Sequence, residues 1–323
     1  MRLMKAPIVF LLLSVAFWQC GTKDKPETNA AEPEPTHTPE AMSLDGKPLY
    51  PMEAATDTQR SRDSLLTLAQ RNYELDSSKL ESLIWVGRRL AYMNRYREAI
   101  ELYTKGLEKF PNSPELYRHR GHRYISTRHF DEAIADFEKA AALVKNKPVT
   151  IELDGIPNKM NKPLSSLQFN IWYHWALAYY LKGDFKRAAQ LYEENLEYST
   201  NPDLLCATAD WLYMTYRRLG ETKKADKVLT LIKPDMEIIE NQSYYNRLLM
   251  YKGLKKPEDL LNTDSTDSDT KLNTVTQGYG VGNWYLYNQD TVRAREIFEK
   301  VIDTGFWSAF GYIAAESDLV RTR

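Results

Sequence analysis

A cluster of basic side chains and imidazoles lies between Leu116 and Phe130, in the stretch LYRHRGHRYISTRHF. This stretch holds three of the five histidines of the chain, together with four arginines. Arginine offers a planar fork of hydrogen-bond donors that suits a carboxylate or a phosphate, whereas imidazole is a common metal ligand. The residue types therefore indicate an anion site, a metal site or a helix pair with a basic surface.

The metal hypothesis rests on three imidazoles. His119 and His122 are three residues apart and can share a helical face, and His174 lies further along the chain. Neighbouring arginines such as Arg118 and Arg120 would repel a divalent cation, and no HExxH-type motif is present. We therefore predict no metal and no cofactor. The alternative function is a metal-dependent envelope enzyme or accessory protein that uses these three histidines.

Composition and charge exclude other classes of protein. The chain has 323 residues, of which 43% are hydrophobic and 27% charged, and its formal net charge is −1. These values predict a folded protein of one large or two ordinary domains, without a general attraction for nucleic acid. No nucleic-acid-binding motif is present, and no serine, cysteine or aspartate has the sequence context of a nucleophile. We predict no nucleic-acid partner and no enzymatic activity.

The first twenty residues have the pattern of an export signal. Arg2 and Lys5 precede an apolar run at 6–18, and Cys20 follows it. The run is shorter than the roughly 20 residues of a spanning helix, but it fits a signal peptide, here residues 1–19. Cys20 resembles the lipidation cysteine of a bacterial lipoprotein, which implies a membrane-anchored protein of the cell envelope, on the periplasmic or outer-membrane side. Simple secretion is the alternative.

Residues 20–57 are rich in proline, glutamate and threonine and poor in large apolar residues. Such a segment cannot bury enough apolar surface to offset the entropy lost on ordering. We expect the lipidated cysteine to be followed by a disordered tether, with the folded part at 58–323.

Two stretches repeat each other without a gap: GRRLAYMNRYREAIELYTKGLEKFPNS and GHRYISTRHFDEAIADFEKAAALVKNK. Gly87 and Gly121 are 34 residues apart, as are Ala99 and Ala133. This pattern resembles the tetratricopeptide repeat, a helix-turn-helix unit with the same period. Small residues let the two helices approach closely, and an aromatic residue after each alanine fills the groove between neighbouring units.

The same skeleton recurs in IWYHWALAYYL, ADWLYMTYRRL, NQSYYNRLLMY and VGNWYLYNQD. We therefore predict an all-α fold, an α-solenoid of about six repeats with a preceding helix near 59–73 and a C-terminal capping helix. Two segments break the period. Residues 146–166 are an insertion in which VTIEL and DG predict a hairpin or ordered loop, and residues 262–274 are a polar acidic loop.

The resemblance implies that the first helix of each unit lines a concave groove. Basic side chains at the groove-facing positions would suit a carboxylate. The predicted groove residues are Arg88, Arg118, His122, Tyr173, Tyr180, Asp210 and Arg217. A structural interpretation of the basic cluster stays open as well, because Arg120 falls at a packing position where we expect an ion pair with Asp136.

Proteins of this repeat family are generally scaffolds and peptide binders, so the resemblance implies a non-catalytic scaffold. We expect it to bind another protein or peptide at the cell envelope through an acidic or carboxylate-bearing segment. Family members with a carboxylate clamp have lysine and asparagine where this chain has Ile84 and Arg88, so that particular ligand class is not implied. A third hypothesis is an assembly subunit whose contact is the insertion around Asp154 and Gly155.

Overall fold

Helices dominate the computed structural model, which describes residues 38–261 and 268–322. The N-terminal part of these ranges contains α1 (Thr56–Leu75), α2 (Leu80–Tyr92), α3 (Tyr96–Lys109), α4 (Pro114–Ser126), α5 (Phe130–Val144), α6 (Leu167–Lys182) and α7 (Phe185–Asn195). The C-terminal part contains α8 (Pro202–Arg218), α9 (Thr222–Leu229), α10 (Gln242–Tyr251), α11 (Pro257–Leu261), α12 (Ser268–Tyr287), α13 (Thr291–Asp303) and α14 (Phe310–Arg321). Six consecutive pairs, from α2/α3 to α12/α13, stand between α1 and α14. This arrangement confirms the predicted solenoid and its capping helix.

A glycine on the first helix of a repeat packs against an aromatic ring on the second. A Cβ atom on Gly87 would lie 2.3 Å from the ring of Tyr103, and one on Gly121 would lie 3.0 Å from Phe137. Because any larger residue would push the helices apart, these glycines set the close approach within each unit. The packing role predicted for the repeated residues is confirmed at these two pairs.

Several first helices begin where the local sequence provides a cap. The side-chain oxygens of Ser113, Ser166 and Asn201 each accept a hydrogen bond from a backbone N–H in the first turn of α4, α6 and α8. Pro114 and Pro202 occupy the first helical position, where a missing N–H costs nothing. The caps fix where these helices start, and therefore which side chains face the inside of the solenoid.

The solenoid closes on itself, because late helices pack across its inner side. Helix α12 contacts α8, and α14 contacts α6. The hydroxyls of Tyr180 on α6 and Tyr279 on α12 share a hydrogen bond of 2.7 Å. Asp318 on α14 accepts hydrogen bonds from Arg218 (2.9 Å) and from Tyr279 (3.1 Å). The inner side of the C-terminal repeats is therefore packed core.

Residues 38–55 are ordered, although they belong to the predicted disordered tether. They contain an antiparallel β-hairpin of two short strands, β1 (Ala41–Met42) and β2 (Pro48–Leu49). The compact unit consequently begins at Thr38 and not at residue 58. The tether prediction is wrong for this part of the chain.

Residues near the C-terminal end of the described chain hold the hairpin in place. The backbone N–H of Leu44 donates to Glu316 on α14 (2.8 Å), and the indole Nε1–H of Trp307 donates to the carbonyl of Tyr50 (2.7 Å). These partners lie more than two hundred and fifty residues away along the chain. A composition-based prediction assigns disorder here because it does not include contacts of that range.

Residues 1–37 lie outside the described residues. They include the predicted signal peptide at 1–19, Cys20 and the first part of the tether, all of which stay predictions. Among the described helices, none is both long enough and apolar enough to cross a membrane.

The insertion at 146–166 is an ordered loop, one of the two forms predicted for it, and not a hairpin. Ile151 forms an isolated antiparallel bridge with Ser166, so the DG sequence does not make a tight turn between paired strands. The loop instead folds back onto the first repeat, where the carbonyl of Gly155 accepts a hydrogen bond from Arg89 (3.1 Å). Gly155 is buried against Tyr92, and a Cβ atom there would overlap the tyrosine hydroxyl. This tertiary contact outweighs the local turn preference.

The second break in the period is shorter than predicted. Residues 262–267 lie outside the described ranges, but 268–274 belong to helix α12 instead of a loop. No glycine or proline interrupts that stretch, so the helix that carries the buried Val275 and Tyr279 extends towards its N-terminus without a break.

Candidate protein-binding site

Two of the predicted groove residues belong to the core. Tyr180 and Asp210 are fully buried, with Tyr180 bonded to Tyr279 and Asp210 paired with Arg247 on α10. They do not line an open groove, because α10 and α12 cover the inner face of α6 and α8. The closure of the solenoid buries the face on which these two residues lie.

Tyr173 and Arg217 are also engaged within the protein. Tyr173 is buried, and its hydroxyl donates to the hydroxyl of Tyr244 (3.2 Å). Arg217 is partly exposed, donates to the hydroxyl of Tyr213 (3.0 Å), and places its guanidinium 4.2 Å from the centre of the Tyr287 ring. Any ligand contact by these two residues stays a prediction.

The basic side chains of the first two repeats meet an acidic segment of the same chain. Arg118 is only 7% exposed, and its Nη2 lies 2.9 Å from Glu152 of the insertion. Burial raises the pKa of the neighbouring Asp154, and the positive charge of Arg88 opposes that rise. The insertion thus brings an internal carboxylate to Arg118, where the sequence predicts the carboxylate of a partner.

The predicted imidazoles are close together but do not share one centre. The rings of His122 and His174 are 4.4 Å apart, and Phe310 of α14 packs against both, at 5.2 and 5.4 Å. His119 stacks on Tyr103 instead, at 5.8 Å. His122 therefore packs against α14 and does not face an open groove.

The environment of these imidazoles disfavours a charged or metal-bound state. Burial lowers the pKa of all three well below 6.5, and the positive charges of Arg118 and Arg123 lower it further. Nδ1 of His174 donates to the carbonyl of Asn170 (2.6 Å). Within the described ranges, no three His, Cys, Asp or Glu side chains are arranged to hold a metal ion. The structure does not support the alternative metal site.

The expected pair between Arg120 and Asp136 is confirmed. Nε and Nη2 of Arg120 donate to the two carboxylate oxygens of Asp136, at 2.8 and 2.7 Å, and Nη1 donates to Thr104 (3.0 Å). This bidentate geometry ties the two helices of one repeat together. At this residue, the structural interpretation of the basic cluster applies.

An open groove lies at the N-terminal end of the solenoid, between α1 and α2; we call it the N-terminal groove. It consists of two adjoining cavities of about 490 and 470 Å³, which share Leu65 and Arg89. Its other lining residues include Leu68, Leu75, Trp85, Tyr92 and, from the insertion, Ile156.

The apolar lining exists because α1 carries leucines on two faces. Leu66 and Ala69 are buried against the first repeat, whereas Leu65, Leu68 and Leu75 are exposed. In the described chain, no further helix precedes α1 to cover that second face. The adjacent leucines of SLLTLAQ indicate this second apolar face in the sequence. A helix with only one buried stripe does not need apolar residues at adjacent positions.

Positive side chains border this apolar surface. Arg62, Arg88 and Arg89 are half-buried, and none has a carboxylate within ion-pair distance among the described residues. The guanidinium groups of Arg88 and Arg89 stack on the indole of Trp85, at 4.6 and 5.0 Å. This contact with the indole helps to hold these cations in place. Nη1 of Arg89 also donates to the carbonyl of Gly155, and neither arginine is paired with a carboxylate.

The carboxylates of the groove are already engaged. Asp57 pairs with Arg60, and Asp76 accepts hydrogen bonds from Ser78 and pairs with Lys79. Glu81 accepts a bond from the indole of Trp85, at 3.4 Å. The groove therefore presents leucines and unpaired arginines, a combination that complements a segment with apolar and acidic side chains.

Residues 87–148 match a family model described as tetratricopeptide repeat. The match spans the two stretches in which the 34-residue period is clearest. Residues 87–148 are therefore similar to tetratricopeptide repeats, in agreement with the predicted resemblance. This fold supports a role as a scaffold for protein–protein interaction.

Solved structures with a similar fold include two further repeat proteins. YrrB, described as a TPR protein with an unusual peptide-binding site, is 16% identical, with a TM-score of 0.41 over 73% of this chain and 91% of that chain. A tetratricopeptide repeat protein from Parabacteroides merdae ATCC 43184 is 13% identical, with a TM-score of 0.45 over 80% of this chain and 94% of that chain.

Proposed function

We propose that this protein is a non-catalytic scaffold of the cell envelope that binds an acidic, apolar segment of a partner protein in the N-terminal groove. One observation carries the proposal: exposed leucines of α1 lie beside arginines that have no carboxylate partner in the described chain. Apolar contacts would supply most of the affinity, and the arginines would orient the segment.

The proposed ligand is still acidic, but its proposed binding site differs from the one predicted from the basic cluster. Arg118 already forms an ion pair with Glu152, and α14 packs against His122. Arg62 and Arg89 line the groove and have no carboxylate within ion-pair distance among the described residues. The chemistry of the predicted ligand is therefore kept, while its site shifts from the centre of the solenoid to the N-terminal end.

Leu68→Asp is expected to weaken peptide binding by about tenfold or more. The substitution removes apolar contact worth about 1.5–3 kcal/mol when fully buried, and it places a carboxylate opposite an acidic ligand. Peptides selected from a random display library against the full-length protein would be measured by fluorescence anisotropy. We expect the selected sequences to combine leucine, isoleucine or phenylalanine with aspartate or glutamate.

Leu254→Asp is the matched control, because Leu254 and Leu68 are equally exposed, at 55%, and Leu254 lies outside the groove. Its affinity for the selected peptides should equal that of the unaltered protein. Equal weakening by both substitutions, or selected peptides without acidic residues, would contradict the proposed site.

Membrane attachment through Cys20 is the second part of the proposal. The apolar run at 6–18, with Arg2 and Lys5 before it, supports it. Cys20→Ala is expected to abolish incorporation of labelled palmitate and to move the protein from the membrane fraction to the soluble fraction. Cys206→Ala is the control, since Cys206 is a buried free thiol. Labelling that survives Cys20→Ala would rule out this anchor.

A further inference from the structure

The insertion contains an extended segment with one paired edge and one open edge. Its paired edge faces the residues just before α6: Glu152 N–H donates to the carbonyl of Ser165 (3.0 Å), and Leu167 N–H donates to the carbonyl of Thr150 (2.9 Å). Thr150 N–H also donates to the side chain of Gln168 (3.0 Å). In an extended chain, successive residues direct their N–H and C=O groups to opposite edges.

The open edge consists of the alternate residues Val149, Ile151 and Leu153. Within the described ranges, none of their backbone N–H or C=O groups makes a hydrogen bond. Their side chains are 56%, 69% and 52% exposed, and they face away from the protein because Glu152, between them, faces Arg118. Free backbone groups and three outward apolar side chains therefore lie along the same extended segment.

The insertion and its boundary carry exposed lysines. Lys145, Lys147, Lys159 and Lys162 lie on the insertion or at its boundary, and none forms an ion pair within the described part of the chain. The acidic residues of the segment, Glu152 and Asp154, are turned inward. The exposed charged residues that immediately precede the segment, Lys145 and Lys147, are consequently positive.

We infer that the edge formed by Val149, Ile151 and Leu153 is a docking site for an extended, acidic segment of a partner protein, which adds to it as a β-strand. Backbone hydrogen bonds to the open edge supply affinity, and alternate apolar side chains of the partner pack beside the three exposed ones. The lysines favour acidic residues at the remaining positions.

Two other occupants fit the same surface less well. A second copy of this chain would bring the two sets of lysines together, and lysines at an exposed edge oppose such self-pairing. A lipid surface would accept the apolar side chains and the lysines, but it would leave the open N–H and C=O groups without hydrogen-bond partners. An extended peptide satisfies the backbone groups and the charges together.

The test uses a labelled peptide of alternating valine and glutamate, about seven residues long, added to the full-length protein. Fluorescence anisotropy should show binding that weakens by about tenfold or more when several central residues of the peptide are N-methylated. N-methylation removes the N–H donors and leaves the protein unaltered, so a folding defect cannot cause the loss. A peptide of alternating valine and lysine should also bind at least about tenfold more weakly.

Ile151→Pro tests the same edge from the side of the protein. It removes an N–H that has no partner within the chain, so a melting temperature close to that of the unaltered protein and loss of peptide binding are expected. Leu254→Asp, outside both surfaces, should leave this binding unchanged. N-methylation separates failure of this inference from failure of the N-terminal groove, because the contacts proposed in the groove involve side chains and not the backbone N–H groups of the peptide.

Three results would overturn the inference. The first is equal binding of the N-methylated and unmethylated peptides. The second is a dimer in sedimentation equilibrium that Ile151→Pro dissociates, which would make a second copy the occupant. The third is binding to phosphatidylglycerol vesicles without binding to the peptide, which would make the surface a lipid contact.

Discussion

Lowering the pH from about 7.5 to about 5.5 is expected to reduce the free energy of unfolding by several kcal/mol, because three histidines on α4 and α6 stay neutral in the folded protein. His119 and His174 are buried, and His122 is half-buried between His174 and Phe310. The neighbouring charges are the guanidinium groups of Arg118 and Arg123, which oppose protonation.

The sign follows from the direction of the pKa shifts. Burial, helped by these arginines, lowers the folded-state pKa of each imidazole well below the unfolded value of 6.5. Their contribution to stability is therefore fully present above pH 6.5 and is lost as the pH falls from there towards the folded-state pKa values. Below pH 6.5, each histidine makes the free energy of unfolding fall with a slope that approaches about 1.4 kcal/mol per pH unit. Three histidines together give a slope of about 4 kcal/mol per unit.

Urea denaturation at a series of pH values measures this dependence. His122→Phe should reduce the slope by about one third, since it removes one of three titrating groups while keeping a ring against Phe310. His129→Phe is the control, because His129 is exposed. If His122→Phe leaves the slope unchanged, or if His129→Phe reduces it equally, the buried cluster is not its source.

Arg247→Leu is expected to lower the free energy of unfolding by about 3–5 kcal/mol. Arg247 and Asp210 are completely buried between α8, α10 and α12, and Arg247 also donates to the carbonyl of Thr276 (2.7 Å). Burial raises the pKa of the Asp210 carboxyl to about 6, and Arg247 opposes that rise. Without the guanidinium, the carboxyl would be left buried and without its charged partner.

The double variant Arg247→Leu with Asp210→Leu should recover much of this loss, because no unpaired charge remains in the interior. Arg295→Leu provides the comparison for an exposed pair, since Arg295 and Glu299 are both in contact with solvent. That change should alter stability by less than about 1 kcal/mol. Urea midpoints for the four proteins give the comparison. A double variant as unstable as Arg247→Leu alone would show that the loss comes from packing and not from the stranded carboxyl.

The candidate site was predicted less accurately than the fold. The basic character around Arg88 and Arg118 and the pair between Arg120 and Asp136 followed from residue types and repeat register. The burial of Tyr180 and Asp210 did not, because their partners Tyr279 and Arg247 come from later repeats. Which inner positions are open depends on how far the solenoid curves, and the spacing of apolar residues within one unit does not encode that curvature.

By itself, the sequence determined the repeat unit and the number of units. Contacts within a unit join residues of the same helix pair, as Gly87 with Tyr103 and Gly121 with Phe137 show. A short sequence pattern that recurs in each repeat therefore predicts them. The tertiary structure decided which surfaces stay open. Contacts such as Arg128 with Glu316 connect residues 188 positions apart, and the fold of the insertion depends on its contacts with α2 and α4. Contacts of this kind occur once in the chain, so the repeat pattern does not predict them. They bury the predicted groove and leave the N-terminal groove and the open edge of the insertion exposed.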